Sequence, residues 1–143
     1  MGAAEKPPVL LRVHLQAPEG AKGQVSVPVT LFQPNETIAI QSLPEVTEKE
    51  IRRISTRVDG TVLVEFNDFG KTKLEVATST GRGFILVVLV NGRVVYAPRI
   101  DTVITNGSIL LPPGSITPDE ILQVNGEVEK LKEQRLKDVP RSN

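Results

Sequence analysis

Seven consecutive apolar residues, Phe84–Val90, run straight into Asn91-Gly92, and Arg93–Ala97 resumes a strand-like pattern beyond them. A type I′ hairpin turn needs positive φ at both central residues, and Asn-Gly meets that need more readily than other pairs. The run falls far short of the roughly 20 apolar residues that cross a bilayer as a helix. It is apolar on both faces, as a central strand covered from two sides has to be.

The flanking sequence supplies further strands. Val9–Gln16 alternates through Val9, Leu11, Val13 and Leu15, the pattern of a half-buried strand. Val25–Phe32 alternates again, and Pro28 assigns it to a sheet edge because proline donates no ladder hydrogen bond. Pro34-Asn35-Glu36 reads as a turn into a partner strand at Thr37–Gln41, making a hairpin. Thr61–Phe66 and Ser108–Leu111 are two more strands, the last stopped by Pro112-Pro113-Gly114.

Three helices are expected between and after them. Thr47-Glu-Lys-Glu50 has the form of a capping box. It predicts a short helix with Ile51, Ile54 and Val58 facing inward and Asp59-Gly60 ending it. Asp68 is positioned to cap a second short helix, with Leu74 and Ala77 inward. Thr117-Pro118-Asp119-Glu120 repeats the capping box and adds proline at the first helical position. From there a helix runs to about Lys137, with Ile121, Val124, Val128 and Leu131 as its apolar stripe and Leu136 close by. Gly126 weakens its middle by about 1 kcal/mol relative to Ala, which implies a close contact there. Strands mixed with short helices and no regular βαβ repeat indicate an α+β fold: a mixed, mostly antiparallel sheet carrying two short helices and a longer C-terminal one. The expected organisation is a flexible leader over 1–8, one domain over 9–138, and a frayed tail over 139–143.

Charge and composition exclude several functions. Lys plus Arg equal Asp plus Glu at 17 each, so no broad positive field exists to hold a nucleic-acid backbone. Aromatic residues are 3% of the chain, too few for base stacking. There is no cysteine, which removes disulfides, thiolate nucleophiles and cysteine metal sites without fixing the compartment. The opening MGAAEKPP lacks the regions of a signal peptide. It suits a cytosolic start, or the remnant left where a signal or anchor was removed.

No residue set has the form of a catalytic site. His14 is the only histidine, on the strand face opposite Val13 and Leu15, with no second ligand or base to join it. Gly81-Arg82-Gly83 opens a strand and lacks the third glycine of a dinucleotide loop, so it reads as turn geometry. Thr78-Ser79-Thr80 is a loop with no base nearby in sequence, and Glu48 and Glu50 are explained by capping. Asn35-Glu36-Thr37 and Asn106-Gly107-Ser108 match glycosylation triplets, which are common by chance. The candidate surfaces are for partners. Arg52, Arg53 and Arg57 form a small basic cluster that reads first as a solvated face balanced by Glu48 and Glu50, with contact to an acidic partner as the alternative. Tyr96, Pro98 and Arg99 leave the central hairpin as either an exit turn or a contact segment. The hairpin edge through Val25–Gln41 is open to an added strand.

The block from Val62 to Ile100 also resembles the head subdomain of the large periplasmic domain of SecD, the membrane subunit that assists the Sec protein-export channel. The likeness rests on the Gly70 helix segment ending at Thr78, the Gly81-Arg82-Gly83 entry and the apolar strand 84–90. It continues through Asn91-Gly92, where the family usually has Asp-Gly, then Val94-Val95-Tyr96-Ala97-Pro98 and Ile100. Pro44, Thr47–Ile51, Gly107 and Thr117–Glu120 extend it, so that it covers roughly 35–125. The segment between Thr78 and Gly81 is shorter than the usual form, and Tyr96 and Arg99 replace small and aliphatic residues. Membrane spans and the rest of the periplasmic base are missing from this sequence. The resemblance implies a non-enzymatic, extracytoplasmic module without cofactor or metal. Its expected partner is an extended or unfolded polypeptide, or a membrane-anchored protein, with no small-molecule substrate. The alternative is a structural or sensor ectodomain of a membrane-anchored protein.

Overall fold

The structure, a computed structural model, describes residues 8–18, 26–32 and 35–138. Among the described residues nine strands form three sheets in which every named pair is antiparallel. The four-stranded sheet is built from β1 (Leu11–Leu15), β4 (Val46–Thr47), β7 (Leu86–Val90) and β8 (Arg93–Tyr96), in the order β4-β1-β7-β8. A two-stranded sheet holds β2 (Ser26–Phe32) and β3 (Asn35–Gln41), and a three-stranded sheet has the order β5-β6-β9, from Ile51–Thr56, Val62–Phe66 and Ser108–Leu111. Two α-helices, α1 (Asp68–Thr80) and α2 (Pro118–Asp138), complete the α+β architecture. No helix among the described residues is long and apolar enough to cross a membrane.

The central hairpin takes its expected form. Asn91 and Gly92 have φ of 50° and 82°, the positive values of a type I′ turn. Strand β7 lies between β1 and β8, and its alternate side chains enter two different cores. Leu86, Val88 and Val90 join the main core with Leu11, Val13 and Leu15 of β1, the inner face of the three-stranded sheet, Leu74 of α1 and Val124 of α2. Val87 and neighbouring Ile85 face the other way, into a smaller cluster closed by Leu31 and Ile40 of the β2–β3 hairpin. That hairpin joins the larger sheet through the bridge Gln16↔Ile40 and the bond from Ala17 N to Ala39 O at 2.8 Å. Among the described residues β2 pairs with β3 alone, so Pro28 sits on an edge, opposite Ala39. Val25 and Pro34 lie outside the described residues, while Asn35 and Glu36 belong to β3 rather than to a turn.

Residues 51–58 correct the expected first short helix. The capping box exists, with Thr47 N donating to Glu50 Oε1 at 3.2 Å and Lys49 N to Thr47 Oγ1 at 3.2 Å, yet it starts only a 3-10 turn over Glu48–Glu50. The next residues are strand β5, whose Ile and Thr side chains favour a pleated surface. Ile51 and Ile54 are both buried although three residues apart, because a bulge between Ile51 and Arg53 shifts the register. A three-residue spacing that mimics a helix face is thus produced inside a strand. Val58 is fully exposed in the hairpin turn 57–60, closed by the bond from Gly60 N to Arg57 O at 2.9 Å.

Helix α1 begins one residue earlier than expected, with Asn67 as its cap, and buries Leu74 and Ala77. It continues through Thr78-Ser79-Thr80, which are its last turn rather than a loop. Thr78 is fully buried, donates to Leu74 O at 2.7 Å and accepts from Ile104 N at 2.9 Å. Gly83 has φ of +87° and serves turn geometry, whereas Gly81, at an ordinary φ of −97°, is required by close approach, because a Cβ there would lie 2.8 Å from Ala77 O and 2.7 Å from Leu15 Cδ1.

Gly126 departs from expectation. A Cβ built there meets nothing within 4 Å, so no close approach explains the glycine. Replacing it with Ala removes the conformational freedom of the unfolded chain without a steric cost. Gly126→Ala is expected to stabilise the protein by about 0.5–1 kcal/mol, read as a higher urea midpoint at unchanged m value.

Candidate functional site

An apolar groove lies where α2 leaves the body of the fold. Three contacts fix the helix there. Its start is capped by Thr117, which accepts from Glu120 N at 3.2 Å, while Glu120 Oε1 accepts from Thr117 N at 2.9 Å. Glu120 also receives a two-pronged bond from Arg93, with Nη2 to Oε1 at 2.6 Å and Nη1 to Oε2 at 3.1 Å, and a third donor from Asn91 Nδ2 at 2.8 Å. The central hairpin turn is thereby tied to the helix N-terminus. One turn further on, Asn125 Oδ1 accepts from Ile54 N and Asn125 Nδ2 donates to Ile54 O, both at 2.9 Å. The side-chain amide thus pairs with the backbone of edge strand β5 as a neighbouring strand would.

Arg93 and the Thr117 amide hold Glu120 well below its ordinary value of 4.5, at about 2. Because the folded value is the lower one, its contribution to stability is present above about pH 4.5 and is lost as pH falls toward 2. With Arg93 partly exposed, the contribution is expected to be about 1–2 kcal/mol. Urea unfolding of Glu120→Gln against the parent should show this gap at neutral pH. The gap should close as acid protonates Glu120.

Past Asn125 the stripe of α2 outruns the core. Ile121 and Val128 are half-buried, Val124 is buried, and Leu131 is 46% exposed. Opposite this stripe run Pro8, Val9 and Leu10, entering β1, and Ile51 at the start of β5. Between them is a groove of about 440 Å³, within the range of ligand sites. Buried Val9, Ile51 and Val124 form its floor, with Leu10, Val128 and Leu131 along the walls. Its rim is charged: Arg12, Lys49, Arg52 and Lys132 stand with Glu48 and Glu127. Glu48 Oε1 is buried and accepts no hydrogen bond among the described residues, while Arg12 Nε lies 3.8 Å away.

Arg52 and Lys132 also line a second, polar recess of about 580 Å³ with Arg53, Glu65, Asn125 and Glu129. The bulge in β5 leaves Arg52 and Arg53 both exposed beside α2. The partner of Arg52 is Glu65, at 3.3 Å. Glu50, expected to balance the arginines, instead pairs with Lys73 at 3.3 Å. Thus Arg52 and Arg53 belong to one surface with the groove, whereas Tyr96, Pro98 and Arg99 do not line it. Tyr96 packs half-buried against the main core, and Pro98 O accepts from Leu86 N at 2.9 Å. Arg99 bridges Ile85 through its backbone and donates from its side chain to Gly83 O. These contacts hold the exit of the hairpin in place.

His14 is buried, with Nδ1 at 2.7 Å from Gln41 O, a contact that ties β1 to the end of β3. Among the described residues no group of three or more His, Asp or Glu is arranged to hold a metal ion. Asn106 Oδ1 accepts from Ser108 N at 3.1 Å, and the second sequon lies in β3, with Glu36 and Thr37 opposite Leu31 and Thr30. Sequence reasoning found the apolar stripe of α2 but missed its two clamps. Glu120 was legible as a cap, while Arg93 as its partner, 27 residues away, was not. Asn125 carries no local signal at all.

Comparison with protein-family descriptions and with curated proteins finds no match. Solved structures do match. One is of SecDF, described as a membrane component that enhances protein export: 18% identity, TM-score 0.59, covering 85% of this chain and 62% of that one. Another is SecDF in a super-membrane-facing form: 22% identity, TM-score 0.58, covering 84% of this chain and 18% of that one. The chain therefore has a SecD-like fold and spans less than two thirds of either protein's length.

Proposed function

We propose that this chain is a non-enzymatic module of protein export that works outside the cytoplasm and binds extended or unfolded polypeptide in the groove beside α2. The observation that carries the reading is an apolar groove with a charged rim beside α2, in a chain with a SecD-like fold. An extended polypeptide turns successive side chains to opposite sides, so apolar ones can meet the floor of Val9, Ile51 and Val124 while polar ones reach the charged border. Residues 9–138 are taken as the working unit. Arg52 and Arg53 are assigned to the polar end of the contact. Tyr96, Pro98 and Arg99 are assigned to holding the hairpin exit. No cofactor or small-molecule substrate enters this reading.

The test is titration of isotope-labelled protein with a permanently unfolded polypeptide, followed by amide chemical shifts. Saturable shifts centred on Val9, Leu10, Ile51, Val124 and Val128 are expected. Flat spectra up to millimolar ligand would overturn the reading and favour a purely structural or sensor ectodomain.

A further inference from the structure

The groove has a charge asymmetry that the whole chain lacks. The sequence is neutral, with 17 residues of each sign, yet four of the residues around the groove are cations and two are carboxylates. Both carboxylates face cations of the protein itself, Glu48 at 3.8 Å from Arg12 Nε and Glu127 at 3.9 Å from Lys130 Nζ. Lys49 and Lys132, by contrast, make no ion pair among the described residues.

Part of the backbone along the groove is already engaged. Pro8 has no N–H, Leu10 N donates to Asn91 Oδ1 at 2.8 Å, and Leu10 O accepts from Asn91 N at 2.8 Å. At Pro8 and Leu10 a ligand is therefore held by side chains rather than by strand pairing. The open stripe from Val124 to Leu131 is about 10 Å long, the reach of about three extended residues. Groups beyond those three residues come level with the rim.

Resting on the polypeptide-binding reading above, we infer that the groove selects a short apolar segment whose flanks are acidic. The floor takes the apolar side chains, and Lys49 and Lys132 meet the flanking carboxylates. Rim charges of this kind act on choice of partner and on encounter rate, and salt screens them.

The experiment uses the full chain and three fluorescent peptides sharing one apolar centre, flanked by glutamates, glutamines or lysines. Fluorescence anisotropy at low salt is expected to rank them in that order, with the acidic peptide about tenfold tighter than the basic one. At 1 M salt, where screening acts over about 3 Å, the gap should largely close. Lys49→Gln with Lys132→Gln removes the whole excess of rim charge and is expected to bring the three affinities to within about twofold of one another. Leu131→Asp, at an exposed position, should weaken all three peptides. Equal affinity for the three, still sensitive to Leu131→Asp, would overturn the charge selectivity and leave the groove reading standing. Tighter binding of the basic peptide would also overturn it and point to Glu48 as the recognising group. Failure of every peptide to bind would overturn both readings.

Discussion

Asn125→Leu is expected to destabilise the protein by about 2–4 kcal/mol, a fall in midpoint temperature of roughly 5–12 °C. The side chains are of similar size, so the cost comes from hydrogen bonding rather than from a cavity. Asn125 satisfies both polar groups of Ile54, whose own side chain is buried on the inner face of β5. Leu leaves that N–H and C=O without partners beneath a helix, and each unsatisfied buried group costs about 1–3 kcal/mol. Asn125→Asp separates the two bonds. It keeps an acceptor for Ile54 N but sets a carboxylate against Ile54 O. Its deficit relative to the parent should shrink as acid restores a donor. Differential scanning calorimetry at neutral and acid pH checks both variants. A loss below 1 kcal/mol for Asn125→Leu would mean that α2 is held by its apolar stripe alone.

The second large effect is expected at Gly70. A Cβ there would lie 2.8 Å from Phe66 Cβ and 3.0 Å from Glu50 Cβ, atoms fixed to the backbones of β6 and the 3-10 turn. Neither neighbour is the tip of a flexible side chain, so the first turn of α1 would have to move away. Gly70→Val is expected to cost about 3 kcal/mol, at the upper end of overpacking penalties. The measurement is equilibrium unfolding by urea, with Gly126→Ala as the counterpart. One glycine is required by its neighbours and the other is not, so the two substitutions are expected to have opposite signs.

The residues that announce themselves in the sequence act over short spans. Asn91-Gly92 and Thr117–Glu120 hold their turn and cap by contacts within a few residues, the run Phe84–Val90 contains strand β7, Leu86–Val90, and each appears where the pattern places it. Residues 51–58 did not, because Ile51 and Ile54 at a three-residue spacing fit a helix face and a bulged strand equally well. Only the pairing with β6, a long-range contact, decides between them. The site was hidden for the same reason. Its stripe on α2 is periodic and could be read, but its opposite wall, Pro8–Leu10, lies over 110 residues away in the chain. Arg52 and Arg53 were visible as a basic pair. The counter-charge of Arg52, Glu65 on the adjacent strand, was not.

The two-sided burial of β7 also has a kinetic consequence. Among the described residues the cluster that the β2–β3 hairpin closes has four buried members, and the hairpin meets the larger sheet through His14, Gln16 and Ala17. Lifting it exposes Ile85 and Val87 while Leu86, Val88 and Val90 stay sealed in the main core. Amide hydrogens of the hairpin should therefore exchange with solvent through a partial opening, well before those of β7 and β1, which wait for the whole fold to open. The protein would then breathe on one side only, away from the groove, and the surface beside α2 would keep its shape while it does.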